Sequence, residues 1–232
     1  MNNRGPLLPA IRCRDLFERC RVREPFNGLS HLLGALLSLA GLLSLVAMSM
    51  GKPWHLTGFL IYGVSLIVLY VASTLFHSLR VSQQRVEQLL VFDQVAIYFL
   101  IAGTYTPLCL VPLRGPWGWS LLAVVWGIAA VGAVLRIAWR AQPEWLPVAL
   151  YLVMGWLAVV VLKPLSHAVP PPAIAWLFAG GLVYTIGAVI FASQRPRLWP
   201  GVFSSHELWH LFVLGGSACH FMVMLLFVVP LS

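Results

Sequence analysis

Residues 54–79 read WHLTGFLIYGVSLIVLYVASTLFHSL, a run of 26 residues without a single Asp, Glu, Lys or Arg. At about 1.5 Å per residue, a helix of this length crosses the roughly 30 Å hydrocarbon core of a bilayer. Its apolar residues follow no period of two, and a backbone in lipid must satisfy its own hydrogen bonds. The segment therefore predicts a transmembrane helix rather than a strand of a barrel.

The whole chain repeats this character. Hydrophobic residues make up 60% of it and charged residues 9%, against about 45–50% and about 25% in soluble domains. A soluble globular protein is therefore excluded, and the sequence predicts an all-α, polytopic membrane protein with a seven-helix bundle. The predicted spans are 29–50, 54–79, 89–110, 117–135, 146–162, 173–193 and 206–229.

The Lys and Arg residues predict the orientation of the bundle. Six of the 15 precede the first span, and two fall in each of the second, fourth and sixth loops. The other side receives only Lys52, Arg114 and Lys163. Because short loops rich in Lys and Arg stay in the cytoplasm, we expect a cytoplasmic N-terminus, an outside C-terminus and a location in a cell membrane, the bacterial inner membrane. Scattered cations also argue against nucleic-acid binding.

Two regions follow from this pattern: a cytoplasmic Arg-rich segment, 1–28, and a seven-helix transmembrane domain, 29–230. In the first, Cys13, Leu16, Phe17 and Cys20 share one helical face, which is compatible with an interfacial helix; a flexible cationic tail is the alternative. The four cysteines do not form an extracellular disulfide framework, and we expect them to be reduced.

Ionisable residues inside the spans are functional candidates because charge at membrane depth is costly. His77 lies at the cytoplasmic end of a span that runs from the outside to the inside. Four further candidates lie in the first turns of spans that run from the inside to the outside. All of them are therefore expected within about 10 Å of the cytoplasmic interface. These four are His31, Asp93, His206 and His210.

The spacing of the histidines predicts a metal site. His206 and His210 are one helical turn apart, so both imidazoles can reach one cation, and His77 is the best third ligand. Three imidazoles with an open fourth position are typical of catalytic zinc. Asp93 is expected to orient or deprotonate the metal-bound water, and Ser73, one turn before His77, to hydrogen-bond the ligand or the water. The competing interpretation is that these histidines only hydrogen-bond between helices or anchor them at the interface.

A second motif overlaps the histidine pair. Residues 206–210, HELWH, match H-E-x-x-H, in which Glu207 would be the general base of a zinc protease. The later histidine, His220, lies about 15 Å deeper than His210, so a third ligand would have to come from an earlier helix. An intramembrane protease is therefore the less favoured hypothesis.

Four motifs in order resemble the haemolysin III family, the bacterial branch of the progestin and adipoQ receptor (PAQR) superfamily. The resemblance covers residues 24–227. Its motifs are Glu24-x-x-Asn27-x-x-x-His31, Ser73-x-x-x-His77, Phe92-Asp93 with residues 96–98 and 102–107, and His206-x-x-x-His210. The resemblance implies a seven-helix bundle with a cytoplasmic N-terminus and zinc on His77, His206 and His210. It also treats position 207 as variable.

The wider superfamily resembles metal-dependent amide or ester hydrolases that act on lipids, such as the alkaline ceramidases. The preferred hypothesis is therefore a zinc-dependent lipid hydrolase with a role in membrane homeostasis, whose partners are membrane lipids.

Glu24 and Asn27 are expected to close the cytoplasmic mouth of the bundle. The alternative for Asn27 is that it is a helix N-cap. His31 is expected to hydrogen-bond a neighbouring helix or to support the zinc site. Two non-enzymatic alternatives remain: a sensor or receptor with structural zinc, and a pore-forming haemolytic protein. Substrate and oligomeric state stay open.

Overall fold

The computed structural model describes residues 23–143, 145–196, 198–199 and 203–231. Within them, seven helices are long and apolar enough to cross a membrane, and no strand occurs. The predicted all-α, seven-helix architecture is thus confirmed, and the chain is a multi-pass membrane protein. In chain order the helices are α1 (Pro25–Met48), α2 (Pro53–Ser78), α3 (Gln83–Leu110), α4 (Pro116–Ala138), α5 (Trp145–Ala168), α6 (Pro171–Ser193) and α7 (Ser205–Val228).

Proline defines where four of the helices begin. α1, α2, α4 and α6 each carry Pro in the first turn, where its fixed φ suits the helix and its missing N–H is not needed. α1 consequently begins at Pro25, earlier than the predicted start at residue 29. The residue preceding α1 is Glu24, which becomes its N-cap in place of Asn27.

α7 begins differently, with a capping box. The backbone N–H of Ser204 donates to Oε2 of Glu207 at 2.7 Å, and the Ser204 hydroxyl accepts from the His206 N–H at 3.3 Å. These bonds satisfy backbone donors that the first helical turn leaves free. The cap thereby fixes the first turn of α7, which carries His206.

The bundle contains two apolar clusters that share α3. One joins α1, α2, α3 and α7, and the other joins α3, α4, α5 and α6. A cavity of about 1000 Å³ is lined by residues from all seven helices. Its volume lies at the upper end of the usual range for small-molecule sites, about 300–1000 Å³.

The fifth span is not a continuous α-helix, because residues Leu157–Val161 form a 3₁₀ turn. The Tyr105 hydroxyl of α3 donates towards the carbonyls of Met154 and Gly155, at 2.9 and 2.7 Å, and accepts from the Ala158 N–H at 2.9 Å. The Tyr105 hydroxyl thus bonds to backbone groups that the 3₁₀ turn leaves without helical partners. Such groups need a partner inside the protein because the bilayer core supplies none.

The predictions for the N-terminal segment concern residues 1–22, which lie outside the described part of the chain. This applies to the interfacial helix and to Cys13 and Cys20. Among the described residues, Cys109 and Cys219 form no disulfide bond. The orientation of the bundle in the membrane stays a prediction.

Candidate metal centre

Three histidines from two helices meet at one end of the bundle. His77 lies in the last turn of α2, and His206 and His210 occupy the first two turns of α7. Their ring centroids form a nearly equilateral triangle, with sides of 5.1 Å (His77 to His206), 4.7 Å (His77 to His210) and 5.1 Å (His206 to His210). One potential ligand atom from each ring lies within 4.8 Å of the others. The structure therefore brings together the three ligands that the sequence predicts.

This triangle fits a divalent cation that prefers nitrogen ligands. In tetrahedral zinc with Zn–N bonds of about 2.0–2.1 Å, ligand nitrogens are about 3.3 Å apart, so small side-chain rotations close the present separation. His77 and His210 are each only 1% exposed, and Nδ1 of His210 has no hydrogen-bond partner among the described residues. A buried, unpaired ring nitrogen is costly unless it binds something.

Glu24 fixes the orientation of the His77 ring. Nδ1 of His77 lies 2.6 Å from Oε2 of Glu24, and the backbone N–H of Glu24 donates to the His77 carbonyl at 2.9 Å. The hydrogen bond with His77 lowers the pKa of Glu24 to about 2, with smaller contributions from Asn27 and Arg23. Because Nδ1 is engaged by a carboxylate, Nε2 is the His77 nitrogen left for a metal, an arrangement common in metal sites.

Asn27 connects this carboxylate to α7. Its Nδ2 donates to Oε2 of Glu24 at 3.1 Å and lies 3.3 Å from Oε1 of Glu207. Asn27 thus bridges two acids at the end of the bundle where the histidines meet, instead of capping α1. Glu207 uses Oε1 for Asn27 and Oε2 for Ser204. These bonds assign it to the helix cap and the mouth, which argues against its use as a general base.

His31 of α1 packs against the triad without hydrogen-bonding to a neighbouring helix. Its ring centroid is 3.9 Å from that of His210 and 5.0 Å from that of Tyr70, and neither ring nitrogen has a partner among the described residues. Tyr70 fits here because α1 carries Gly34 opposite it: a Cβ at that position would lie 2.7 Å from the Tyr70 ring. The packing of His31 on His210 is compatible with the expected support of the zinc site, which stays a prediction.

Asp93 and Ser73 lie on the wall of the cavity beside the triad. The cavity is lined by His77, His206 and His210 as well as by these two residues. Ser73 is buried, and its side chain and that of His77 are among the groups that interact with the Asp93 carboxyl. Away from this end the wall is mostly apolar, with residues such as Leu100, Leu177 and Phe178. The site can thus present a carboxylate and three imidazoles to a molecule with an apolar body.

One buried cation at the cavity was not identified from the sequence as a site residue. Arg136 is only 7% exposed and lines the cavity, although the sequence assigns it only to the orientation signal. It lies in the last turn of α4, one residue beyond the predicted span, and its place in the sequence alone does not distinguish it from a loop cation. His220, deeper in the bundle, also lines the cavity and stacks on Tyr184 with ring centroids 5.7 Å apart.

The chain is similar to known proteins over most of its length. The family model described as "Haemolysin-III related" matches residues 20–221. Hemolysin-3 of Bacillus cereus is 41% identical over 210 residues, covering 89% of this chain and 92% of the relative. The hemolysin-3 homolog of Bacillus subtilis (strain 168) is 39% identical over 209 residues, covering 89% and 94%.

The similarity extends to animal proteins. The human monocyte to macrophage differentiation factor is 31% identical over 166 residues, which cover 69% of this chain and 66% of the relative. The bacterial relatives, in contrast, align over nearly their full length. The chain therefore belongs to the haemolysin III family, within the PAQR superfamily.

Proposed function

We propose that this protein is a zinc-dependent hydrolase that cleaves an amide or ester bond in a membrane lipid. The observation that carries the proposal is the position of Asp93 beside the triad of His77, His206 and His210, on the wall of one large cavity. Three nitrogen ligands, an adjacent carboxylate and an apolar chamber are the components that such a reaction needs.

The residues divide the chemical tasks as follows. His77, His206 and His210 would hold Zn²⁺, which when bound polarises a carbonyl oxygen and makes water more acidic. Asp93 would accept the proton of the attacking water, and Ser73 would orient the Asp93 carboxyl. Glu24 would keep the His77 ring in the tautomer that leaves Nε2 free. The apolar wall would hold the acyl chain and exclude bulk water.

A comparison of Asp93→Asn with the wild type on a panel of amide- and ester-linked lipids tests the reaction. We expect fatty-acid release, measured by mass spectrometry, to fall by about 10²-fold or more in the variant, because a general base contributes about that much. Zinc content should be unchanged, since Asp93 is not one of the three ligands. Glu87→Gln is the matched control: it removes an exposed carboxylate from the first turns of the same helix. If no lipid gives an Asp93-dependent product, the proposal is wrong.

A non-enzymatic sensor with structural zinc is the second candidate, and the position of His31 favours it. Its unpartnered ring lies against His210 and would become a fourth protein ligand after a modest movement. Four protein ligands close a zinc site, whereas a catalytic site keeps one position open. The hydrolase proposal predicts that His31→Ala keeps its zinc. Loss of zinc from this variant, together with an absence of lipid cleavage, would favour the sensor.

A further inference from the structure

Arg136 is a buried cation that has no counter-charge among the residues described by the structure. It is 7% exposed, and no carboxylate among the described residues forms an ion pair with it. Its Nε donates to Oε1 of Gln94, and one terminal nitrogen donates to the Arg140 carbonyl at 3.4 Å. A guanidinium carries five N–H donors, so these two acceptors leave further donors unused. Burying an uncompensated charge is costly, which makes an anionic ligand a physical explanation for this arrangement.

The surroundings hold Arg136 at the cavity wall. The Tyr151 hydroxyl donates to the Gln94 carbonyl at 2.8 Å, so both the backbone and the side chain of Gln94 are engaged. The Tyr151 ring in turn packs edge-on against Tyr98, with centroids 4.6 Å apart. The Arg136 guanidinium is therefore held by residues on packed helices, which is the kind of support that a binding site requires.

A second unused donor faces the same space. Nε2 of Gln142 is buried and has no hydrogen-bond partner within the described part of the chain, and Gln142 lines the cavity together with Arg136. The cavity reaches the surface at this end, because its lining includes the exposed residues Arg140 and Trp145. Arg136, Arg140 and the side-chain amide of Gln142 thus lie at the entrance of a cavity whose deeper wall is mostly apolar.

The entrance adjoins the centre where the reaction is proposed. Gln94 directly follows Asp93 on α3, and both residues line the cavity. A single amphiphile can therefore place an anionic group at Arg136, a carbonyl near Asp93 and an acyl chain along the apolar wall. Arg is suited to the anionic group because its planar fork matches phosphate and carboxylate oxygens.

We propose that Arg136, supported by Gln94 and joined by Gln142, binds the phosphate or carboxylate group of an anionic membrane lipid whose acyl chain lies in the cavity. The inference that such a lipid is the substrate rests on the proposed hydrolase function. The inference that such a lipid binds at Arg136 does not depend on that reaction.

The test measures binding with probes that carry no carboxylic amide or ester bond. Full-length protein in neutral detergent is titrated with oleyl phosphate, with oleate and with oleyl alcohol, which supply a phosphate, a carboxylate and an uncharged head. We expect Arg136→Gln to weaken the binding of at least one anionic probe about tenfold or more, the effect of removing a charged hydrogen-bond donor. Oleyl alcohol should bind both proteins equally, and Arg136→Lys should recover part of the loss.

Controls separate binding from folding and from catalysis. Arg85→Gln removes a cation from an exposed site on α3 outside the cavity, and should leave all three affinities unchanged. Zinc content and thermal unfolding establish that Arg136→Gln is folded. Equal anionic-probe affinities in folded Arg136→Gln and wild type would overturn the proposal, as would an equal loss for oleyl alcohol. Arg136-dependent binding of inorganic phosphate without either anionic lipid would overturn the assignment to a lipid. Failure of the hydrolase proposal would appear only in the cleavage assay, so the two outcomes are distinguishable.

Discussion

Oε2 of Glu24 lies 2.6 Å from Nδ1 of His77 and so ties the residue before α1 to the last turn of α2. The contact joins two residues that are 53 positions apart in the chain. Glu24 is not itself a candidate metal ligand, but it orients the ring of one. It also hydrogen-bonds to Asn27, which in turn contacts Glu207 of α7.

We predict that Glu24→Gln weakens zinc binding by about 10- to 100-fold, because the carboxylate that orients a ligand histidine usually contributes this much. Glutamine keeps the size of the side chain and an acceptor oxygen, so the loss reflects the charge. The measurement is competition for zinc with a chelator of known affinity. Glu87→Gln is the control with the same chemical change. Equal zinc affinity in Glu24→Gln and wild type would show that this contact does not support the site.

Glu207 gives a prediction that separates a helix cap from a catalytic base. Glutamine can still accept from the Ser204 N–H, so Glu207→Gln should retain zinc and lipid cleavage near the wild-type level. Glu207→Ala removes the hydrogen bond of Glu207 to the Ser204 N–H and should cost about 1 kcal/mol of stability, seen as a lower unfolding temperature in detergent. Abolished cleavage in a folded, zinc-loaded Glu207→Gln variant would restore Glu207 as a base.

Much of the fold was predictable because each span carries its own signal. Long apolar runs identify the seven helices, and the i, i+4 spacing of His206 and His210 identifies part of the site from one short segment. The role of Glu207 was harder to predict, because two sequence patterns overlap at this residue. Residues 204–207 match the Ser-x-x-Glu pattern of a capping box, while residues 206–210 match a protease motif, and both patterns use the same carboxylate. Only the bonds of Glu207 decide between them.

The remaining features depend on contacts between distant segments. Sequence spacing does not show that Glu24 meets His77, that His31 lies against His210 or that Tyr105 caps the 3₁₀ turn of α5. Arg136 illustrates a different limit. An Arg near the end of a span satisfies the orientation rule whether it lies in water or lines a cavity, so the rule cannot distinguish the two.

The orientation of the bundle gives a further prediction. In a background without native cysteines, Ser82→Cys should be labelled by a membrane-impermeant thiol reagent only after the cytoplasmic side is made accessible. Ser166→Cys, near the other end of the bundle, should be labelled in intact cells. Both serines are exposed, so the contrast reports the side of the membrane. The reverse pattern would place the three histidines on the outer side and contradict the distribution of Lys and Arg.

Metal analysis of the purified protein tests the central claim most directly. His77→Ala, His206→Ala and His210→Ala are compared with wild type and with His167→Ala, which changes an exposed histidine near the other end of the bundle. We expect about one zinc per chain in wild type and His167→Ala, and at least a tenfold loss in each of the other three variants, because three imidazoles hold the ion together. Equal zinc in all five proteins would contradict the account.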